Sequence, residues 1–163
     1  MSAVRTPVAV VTDEEWDVWR AFARMRVQLD RALADRLEAN AGISSADYVV
    51  LLVLFEAPER RLRAARIAGL IAWEKSRLSH QLTRMEQRGL VQRTDCDDDL
   101  RGKWVVLTND GRRAVLKAMR DHNRAIREYF FDVLDEQEQA VLQRLSDRVL
   151  GAIDPEICHE DEA

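Results

Sequence analysis

Residues 73–91 read WEKSRLSHQLTRMEQRGLV, and this stretch decides the fold. Leu78, Leu82 and Met85 are spaced by four and three residues, which predicts an amphipathic helix from Glu74 to Arg88 with one apolar face. A helix that is only solvated would favour Glu and Lys over Ser, His and Gln, so the opposite face indicates DNA reading rather than a solvated surface. That face carries Lys75, Ser76, Arg77, Ser79, His80, Gln81 and Arg84.

Charge is distributed unevenly around this helix. The chain of 163 residues has 25 Lys and Arg against 29 Asp and Glu, a net charge of −4. Between Arg60 and Thr94, however, nine basic residues stand against two acidic ones, and the acid is concentrated in residues 95–99 and 154–163. A basic block within an acidic chain is typical of a nucleic-acid-binding module, although a solvated helical face is the simpler alternative.

Two short strands are predicted directly after the helix. Leu90–Thr94 and Lys103–Leu107 are rich in β-branched and aromatic residues and flank the polar loop 95–102. A short helix at Ala64–Leu70 precedes the amphipathic one, so the order is helix, turn, helix, strand, loop, strand. This order predicts a winged helix-turn-helix, in which a helix fits the major groove and the hairpin reaches toward the minor groove.

Long helices are predicted on both sides of this unit. Thr12 with Glu15 forms a capping box for a helix that ends near Asn40, and Asp135 with Glu138 caps a last helix. Between them, apolar residues follow a heptad seam, which needs a partner helix and therefore predicts a homodimer. The expected interface residues are Val115, Met119, Ile126, Tyr129, Val133, Leu142 and Leu145.

The fold class predicted is mainly α with a small β-hairpin wing, as a winged helix-turn-helix lobe on a helical dimerisation scaffold. The lobe is expected at 44–108 and the scaffold at 13–43 and 109–153. Residues 1–12 are expected to be a flexible tail, and residues 154–163 an acidic tail.

The recognition segment and the wing resemble the MarR family, the multiple antibiotic resistance regulators. Residues 73–91 look like the recognition helix and first wing strand of that family. Asp99-Leu100-Arg101, followed by Val106-Leu107-Thr108 and Gly111, looks like its wing signature. The likeness extends over about Trp16 to Leu150. Two departures are that Ala65 and Arg66 stand where a Ser or Thr cap and an acidic residue are common, and that residues 97–99 are all Asp.

The resemblance implies a role for each wing residue. Arg101 would enter or border the minor groove with Asp99 orienting its guanidinium, whereas the alternative is a surface ion pair. Lys103 would contact phosphate, as would Lys75 and Arg84 on the helix. From their own donors and acceptors, Arg77, His80 and Gln81 of the helix are expected to read base edges.

The same residues argue against an enzyme and against a metal site. The sequence has no Gly-rich phosphate loop, nucleophile elbow or suggestive pair of carboxylates. Its three histidines are scattered, and Cys96 and Cys158 have no metal-ligand spacing. The aspartates beside Cys96 would raise its pKa, which disfavours a redox switch. No cofactor is expected, and no apolar run is long enough to cross a membrane.

The sequence therefore predicts a cytoplasmic dimeric transcriptional regulator bound to a pseudo-palindromic operator in double-stranded DNA. Repression is favoured over activation because a bound dimer excludes polymerase without a contact surface for it. The family resemblance implies that a small aromatic or lipophilic effector binds in a crevice and releases the regulator from DNA. The alternative is a fully packed core without such a crevice. The other function considered is a helical protein-interaction adaptor that uses the seam and binds no DNA. The crevice residues expected are Trp19, Met25, Leu29, Tyr48, Leu52 and Val115.

Overall fold

The structure, a computed structural model, describes residues 10–95 and 103–153. Six α-helices and three strands lie within these residues. The helices are α1 (Asp13–Ala41), α2 (Ser45–Glu56), α3 (Ala64–Leu70), α4 (Lys75–Gln87), α5 (Asn109–Tyr129) and α6 (Glu136–Ile153). The strands are β1 (Arg61–Arg63), β2 (Val91–Asp95) and β3 (Lys103–Leu107). The mainly helical fold class and the winged helix-turn-helix order are confirmed.

Capping boxes fix where three of the helices begin. The predicted capping box at Thr12 and Glu15 is present, and Ser44 with Asp47 forms a second one at the start of α2. Asp135 and Glu138 exchange the predicted hydrogen bonds before α6. In contrast, α3 has no side-chain cap at Arg63, as its Ala65 and Arg66 suggest.

The sheet has one strand more than the predicted hairpin. Its order is β1-β3-β2, with both pairings antiparallel and Leu62 opposite Val105. The sequence pattern missed β1 because Arg-Leu-Arg offers a single apolar residue and lies in a segment of only three residues. The guanidinium groups of its two arginines lie 4.9 and 5.0 Å from the centre of the Trp104 ring.

One apolar core joins the lobe to the scaffold. Val50, Leu51 and Leu54 of α2 are completely buried, and Val115 and Ala118 of α5 pack into the same cluster. Leu37 near the end of α1 also belongs to it. The cluster therefore crosses the boundaries at 43/44 and 108/109, while the N-terminal half of α1 and all of α6 contribute no buried residue.

Helix α5 is fastened to the root of the wing. The Thr108 hydroxyl donates to the carbonyl oxygens of Gly89 and Leu90, at 2.6 and 3.0 Å, and accepts from the Gly111 N–H. Gly111 lies so close to Leu90, the residue before β2, that an added Cβ would collide with the Leu90 carbonyl oxygen. The first turn of α5 is therefore fixed to the root of the wing.

No single described helix is long and apolar enough to cross a membrane. Helices α1 and α2 pass that test of length and composition only when they are taken together, and they are bent by 73° at their junction.

Candidate nucleic-acid interface

Helix α4 is held by its apolar face and presents the opposite face to solvent. Leu78, Leu82 and Met85 are buried in the core, which the spacing of four and three predicted. Six of the seven residues predicted on the other face are exposed, namely Lys75, Ser76, Arg77, Ser79, His80 and Arg84. These side chains form a continuous polar and basic surface along the helix.

Gln81 does not belong to that surface, and its predicted place there was wrong. Its side chain is only 3% exposed. Its Nε2 donates to Asp47 Oδ1 at 2.6 Å, and its Oε1 accepts a hydrogen bond from the Arg84 guanidinium. Because both ends of the amide are occupied within the protein, Gln81 supports Arg84 instead of facing a base.

Trp73 supports the outward face in a way that the sequence did not reveal. The Arg77 guanidinium lies over its ring at 4.0 Å from the centre. When an arginine stacks on an aromatic ring, the edge of its guanidinium stays free for hydrogen bonds while rotation of the side chain is restricted. Trp73, Arg77, His80 and Arg84 line one side of an open groove of about 590 Å³ beside the start of α2.

Arg93 joins the wing to α4. Its backbone N–H donates to Glu86 Oε1 at 2.9 Å, and its guanidinium contacts Glu86, the Ser79 carbonyl oxygen and the Thr83 hydroxyl at 3.2–3.3 Å. A second groove of about 540 Å³ lies between α3, α4 and the wing and is lined in part by Lys75, Arg93 and Lys103. Three cations along one groove favour an anionic partner such as a phosphate backbone.

The tip of the wing lies outside the described residues. The proposed roles of Asp99 and Arg101, the acidic run at 97–99, and Cys96 all fall there, as do both tails except Val10–Thr12. Lys103 is described, is exposed, and lies 3.8 Å from the Asp95 carboxylate.

The six predicted crevice residues are not brought together. Met25 and Leu29 line a cavity of about 570 Å³ with residues of α5, α6 and the turn between them. Tyr48 and Leu52 lie on α2 and do not line it, and Trp19 is 55% exposed. Val115 is completely buried in the shared core, so its predicted place in a crevice was wrong.

The predicted dimer residues divide into three groups, which are one core residue, residues that pack within the chain and more open residues. The structure corrects Val115, which is core, and shortens the seam, because α5 ends at Tyr129 and Val133 lies on a 3₁₀ turn. Much of the seam packs on the chain's own α1, where Arg36 donates to the Tyr129 hydroxyl at 2.8 Å. Met119, Ile126 and Tyr129 are therefore partly buried within one chain. The remaining residues are more open, with Leu142 half-buried and Val133 and Leu145 exposed.

Tyr48 and His122 form a contact between α2 and α5. Their ring centres are 5.0 Å apart, and His122 Nδ1 is buried without a hydrogen-bond partner in the described structure. Burial lowers the pKa of His122, because the charged imidazolium loses water. Burial, and then the nearby Glu56 carboxylate, raise the pKa of Tyr48. Among the described residues no group of three His, Cys, Asp or Glu could hold a metal ion.

Comparison with known proteins gives one consistent family. The model of the MarR family matches residues 43–103. The crystal structure of Sco3205, a MarR family transcriptional regulator from Streptomyces coelicolor in complex with DNA, is 32% identical with a TM-score of 0.81, over 95% of this chain and 97% of that one. AbsC, a MarR family regulator of the same organism, is 32% identical with a TM-score of 0.80, over 90% and 98%.

A curated sequence relative agrees. The HTH-type transcriptional regulator PrsX of Escherichia coli is 25% identical over 113 residues, which are 69% of this chain and 68% of PrsX. The family and these relatives are transcriptional regulators and not enzymes.

Proposed function

The chain belongs to the MarR family of transcriptional regulators, and on that premise we propose that it is a dimeric, sequence-specific DNA-binding repressor. The observation that carries the proposal is the exposed polar and basic face of α4, whose apolar face is fixed in the core. A helix held in this way can enter a major groove without disturbing the fold. The proposal includes action in the cytoplasm, as the sequence predicts.

The proposed DNA contacts follow the two grooves of the structure. Arg77 and His80 face base edges, and Ser76 and Ser79 add shorter contacts near the start of α4. Lys75 and Lys103 contact phosphates beside Arg93, which anchors the wing. Arg84 contacts a phosphate from the other groove. Arg101 with Asp99 keeps its proposed place at the minor groove on the strength of the resemblance. Gln81 is buried and is not one of the proposed DNA contacts.

The proposed homodimer uses the apolar surface that the chain leaves open. Val18, Phe22 and Met25 of α1 are 71%, 45% and 45% exposed. Five large apolar residues of α6 are exposed as well, namely Val141, Leu145, Val149, Leu150 and Ile153. Soluble monomers rarely carry so much contiguous apolar surface. A second copy that covers these faces would place two α4 helices on one side of a duplex, about one helical turn apart.

The proposal also includes release of the protein from operator DNA by a small effector. The cavity beside Met25 and Leu29 is mostly apolar, and its volume falls in the range of small-molecule sites. An aromatic acid such as salicylate is the first probe, because it combines a flat apolar ring with one charge. To act as a switch it must bind the DNA-incompetent arrangement more tightly than the competent one. We expect millimolar salicylate to raise the operator Kd; an unchanged Kd would remove the effector from the proposal.

Selection of bound duplexes from a randomised pool, followed by gel shifts, tests the DNA-binding proposal. Arg77→Ala should weaken binding to the selected duplex by about 1–3 kcal/mol with little change on random DNA. Arg84→Ala should weaken both and reduce the slope of log affinity against log salt concentration by about one. Arg31→Ala, an exposed arginine of α1 paired with Asp35, is the matched control.

The same experiment decides the alternative function. The open apolar faces of α1 and α6 are also what a helical protein-interaction adaptor would need. An adaptor would enrich no duplex and would show no salt-dependent affinity for DNA. That result would overturn the regulator proposal in favour of the adaptor.

A further inference from the structure

Asp47 is a buried carboxylate whose two oxygens both accept hydrogen bonds. It lies in the first turn of α2 and is 1% exposed. Its Oδ2 accepts from the Ser44 N–H and hydroxyl, both at 2.9 Å, and from the Arg88 guanidinium at 2.6 Å. Its Oδ1 accepts from Gln81 Nε2, also at 2.6 Å.

Helix capping does not account for this arrangement. The capping box needs only one oxygen facing Ser44, and an uncharged Asn or Gln could supply it without the cost of burying a charge. The second oxygen and the ion pair are directed to α4 instead. Removing the partners of a buried carboxylate strongly destabilises the fold. The contacts of Asp47 with Gln81 and Arg88 therefore hold α4 at a defined position.

Arg88 extends the connection to the end of α1. Its Nη1 donates to Asp47, and its Nη2 donates to the carbonyl oxygen of Gly42, each at 2.6 Å. Gly42 ends α1 in the left-handed conformation, with φ of 68°. The corner between α1 and α2 is thus tied to α4 at two points, Gln81 and Arg88, which are two helical turns apart.

We propose that Asp47 is a positioning residue that fixes the angle and distance of α4 relative to the scaffold. This inference rests on the proposed function, since it concerns a dimer whose two α4 helices read one operator. Two helices held rigidly on a common scaffold accept only one separation between half-sites. Asp47 therefore contributes to specificity through spacing, although it touches no DNA.

Spacing gives this role a distinctive readout. One base pair inserted between half-sites moves them apart by about 3.4 Å and rotates one by about 35° relative to the other. A rigid pair of lobes loses contacts on such a duplex, whereas loosened lobes can follow it. A residue that only stabilised the fold would lower affinity for every spacing alike.

The test uses the full-length protein and the duplex that it selects from a randomised pool, with versions lengthened and shortened by one base pair between half-sites. We expect the unmodified protein to lose about tenfold or more in affinity on either altered duplex, equivalent to about 1.4 kcal/mol. Asp47→Asn keeps the cap but removes the ion pair, and Arg88→Ala removes the link to Gly42. Both should reduce that loss to about twofold, whereas Arg113→Ala, paired with Asp110 on the exposed face of α5, should leave it unchanged.

Three results would overturn the inference. They are an unchanged spacing preference in both variants, an equal loss on all three duplexes with a lowered thermal midpoint, and an unmodified protein that binds all three spacings alike. If Asp47→Asn does not fold, the half-exposed Arg88 provides the measurement alone. Failure of the unmodified protein to select any duplex is different, because it would overturn the proposed function itself.

Discussion

At the scale of single residues, Trp73 and Arg77 offer the clearest prediction for the α4 surface. A cation–π contact at an exposed site contributes about 0.5–1 kcal/mol, so Trp73→Leu should weaken binding to the selected duplex by a few-fold. Arg77→Ala should weaken it more, because the hydrogen bonds to a base are lost as well. Fluorescence anisotropy with both variants checks this order. Unchanged affinity in a folded Trp73→Leu protein would contradict it.

His122 predicts a pH dependence of stability. Its folded pKa is lowered by burial, so the unfolded chain takes up the proton first as the pH falls. The contribution of neutral His122 is therefore present above its ordinary pKa of about 6.5 and is lost as the pH falls through the lower folded pKa. His122→Phe should show a smaller drop in thermal midpoint between pH 7 and pH 5 than the unmodified protein.

His80 provides the control for that experiment. His80 is exposed on α4, so His80→Gln removes a histidine without touching the contact between α2 and α5. If His80→Gln flattened the slope and His122→Phe did not, the assignment to His122 would be wrong.

Gln81 shows where reading the sequence residue by residue fails. It lies three residues after Leu78 and four before Met85, so its spacing places it on the buried face. Its polar side chain suggested the opposite face. Its hydrogen-bond partner in the core, Asp47, is 34 residues away in the sequence, and no local pattern connects the two. Period alone was the better guide here.

At the scale of elements, the junction between β2 and α5 predicts unequal effects of two glycine substitutions. Gly111→Ala would force a Cβ against the Leu90 carbonyl oxygen and the Leu107 side chain, and overpacking of this kind costs about 1–3 kcal/mol or more. Gly69→Ala, inside α3 with open space around it, should be neutral or stabilise by up to about 1 kcal/mol. Chemical denaturation of both variants measures the difference. Equal stability would show that β2 moves away without cost.

The helices were predictable to within a few residues, whereas one strand was not. Caps such as Thr12 with Glu15 and stops such as Gly42 are local signals, and they mark where chains enter and leave helices. Strand β1 depends on pairing with β3 across more than 40 residues, as in the register Arg61 with Val106. Its three residues carry no period of their own, so only the folded sheet reveals them.

At the scale of the whole molecule, the exposed apolar faces predict the effect of a charge placed on them. Leu145 of α6 is 48% exposed, and Leu145→Asp should convert the proposed dimer to a monomer because a carboxylate would be buried in the interface. Leu70→Asp, on the similarly exposed Leu70 of α3, should keep the dimer mass. Light scattering measures both. A monomeric mass for the unmodified protein would refute the dimer.

The division into lobe and scaffold was predicted from patterns along the chain, but one apolar core contains residues from both parts. Val115 was assigned to the interface because it starts a heptad seam, yet the core of the lobe takes it completely. The seam indicated a partner helix without indicating which one, and α1 of the same chain occupies much of it. Periodicity identifies a face that must be covered, and only the tertiary structure identifies its cover.

The contact between α1 and α5 also bears on how the chain is made. Arg36 reaches Glu128 and Tyr129 across 92 and 93 residues, so α1 leaves the ribosome long before its packing partner has been synthesised. During that interval α5 is not there to cover the apolar stripe of α1, and exposed apolar segments of this kind are the ones that require chaperones. Closing such a long loop also slows folding relative to local contacts. Slower translation between residues 41 and 109 should therefore lengthen that exposure and lower the yield of native protein.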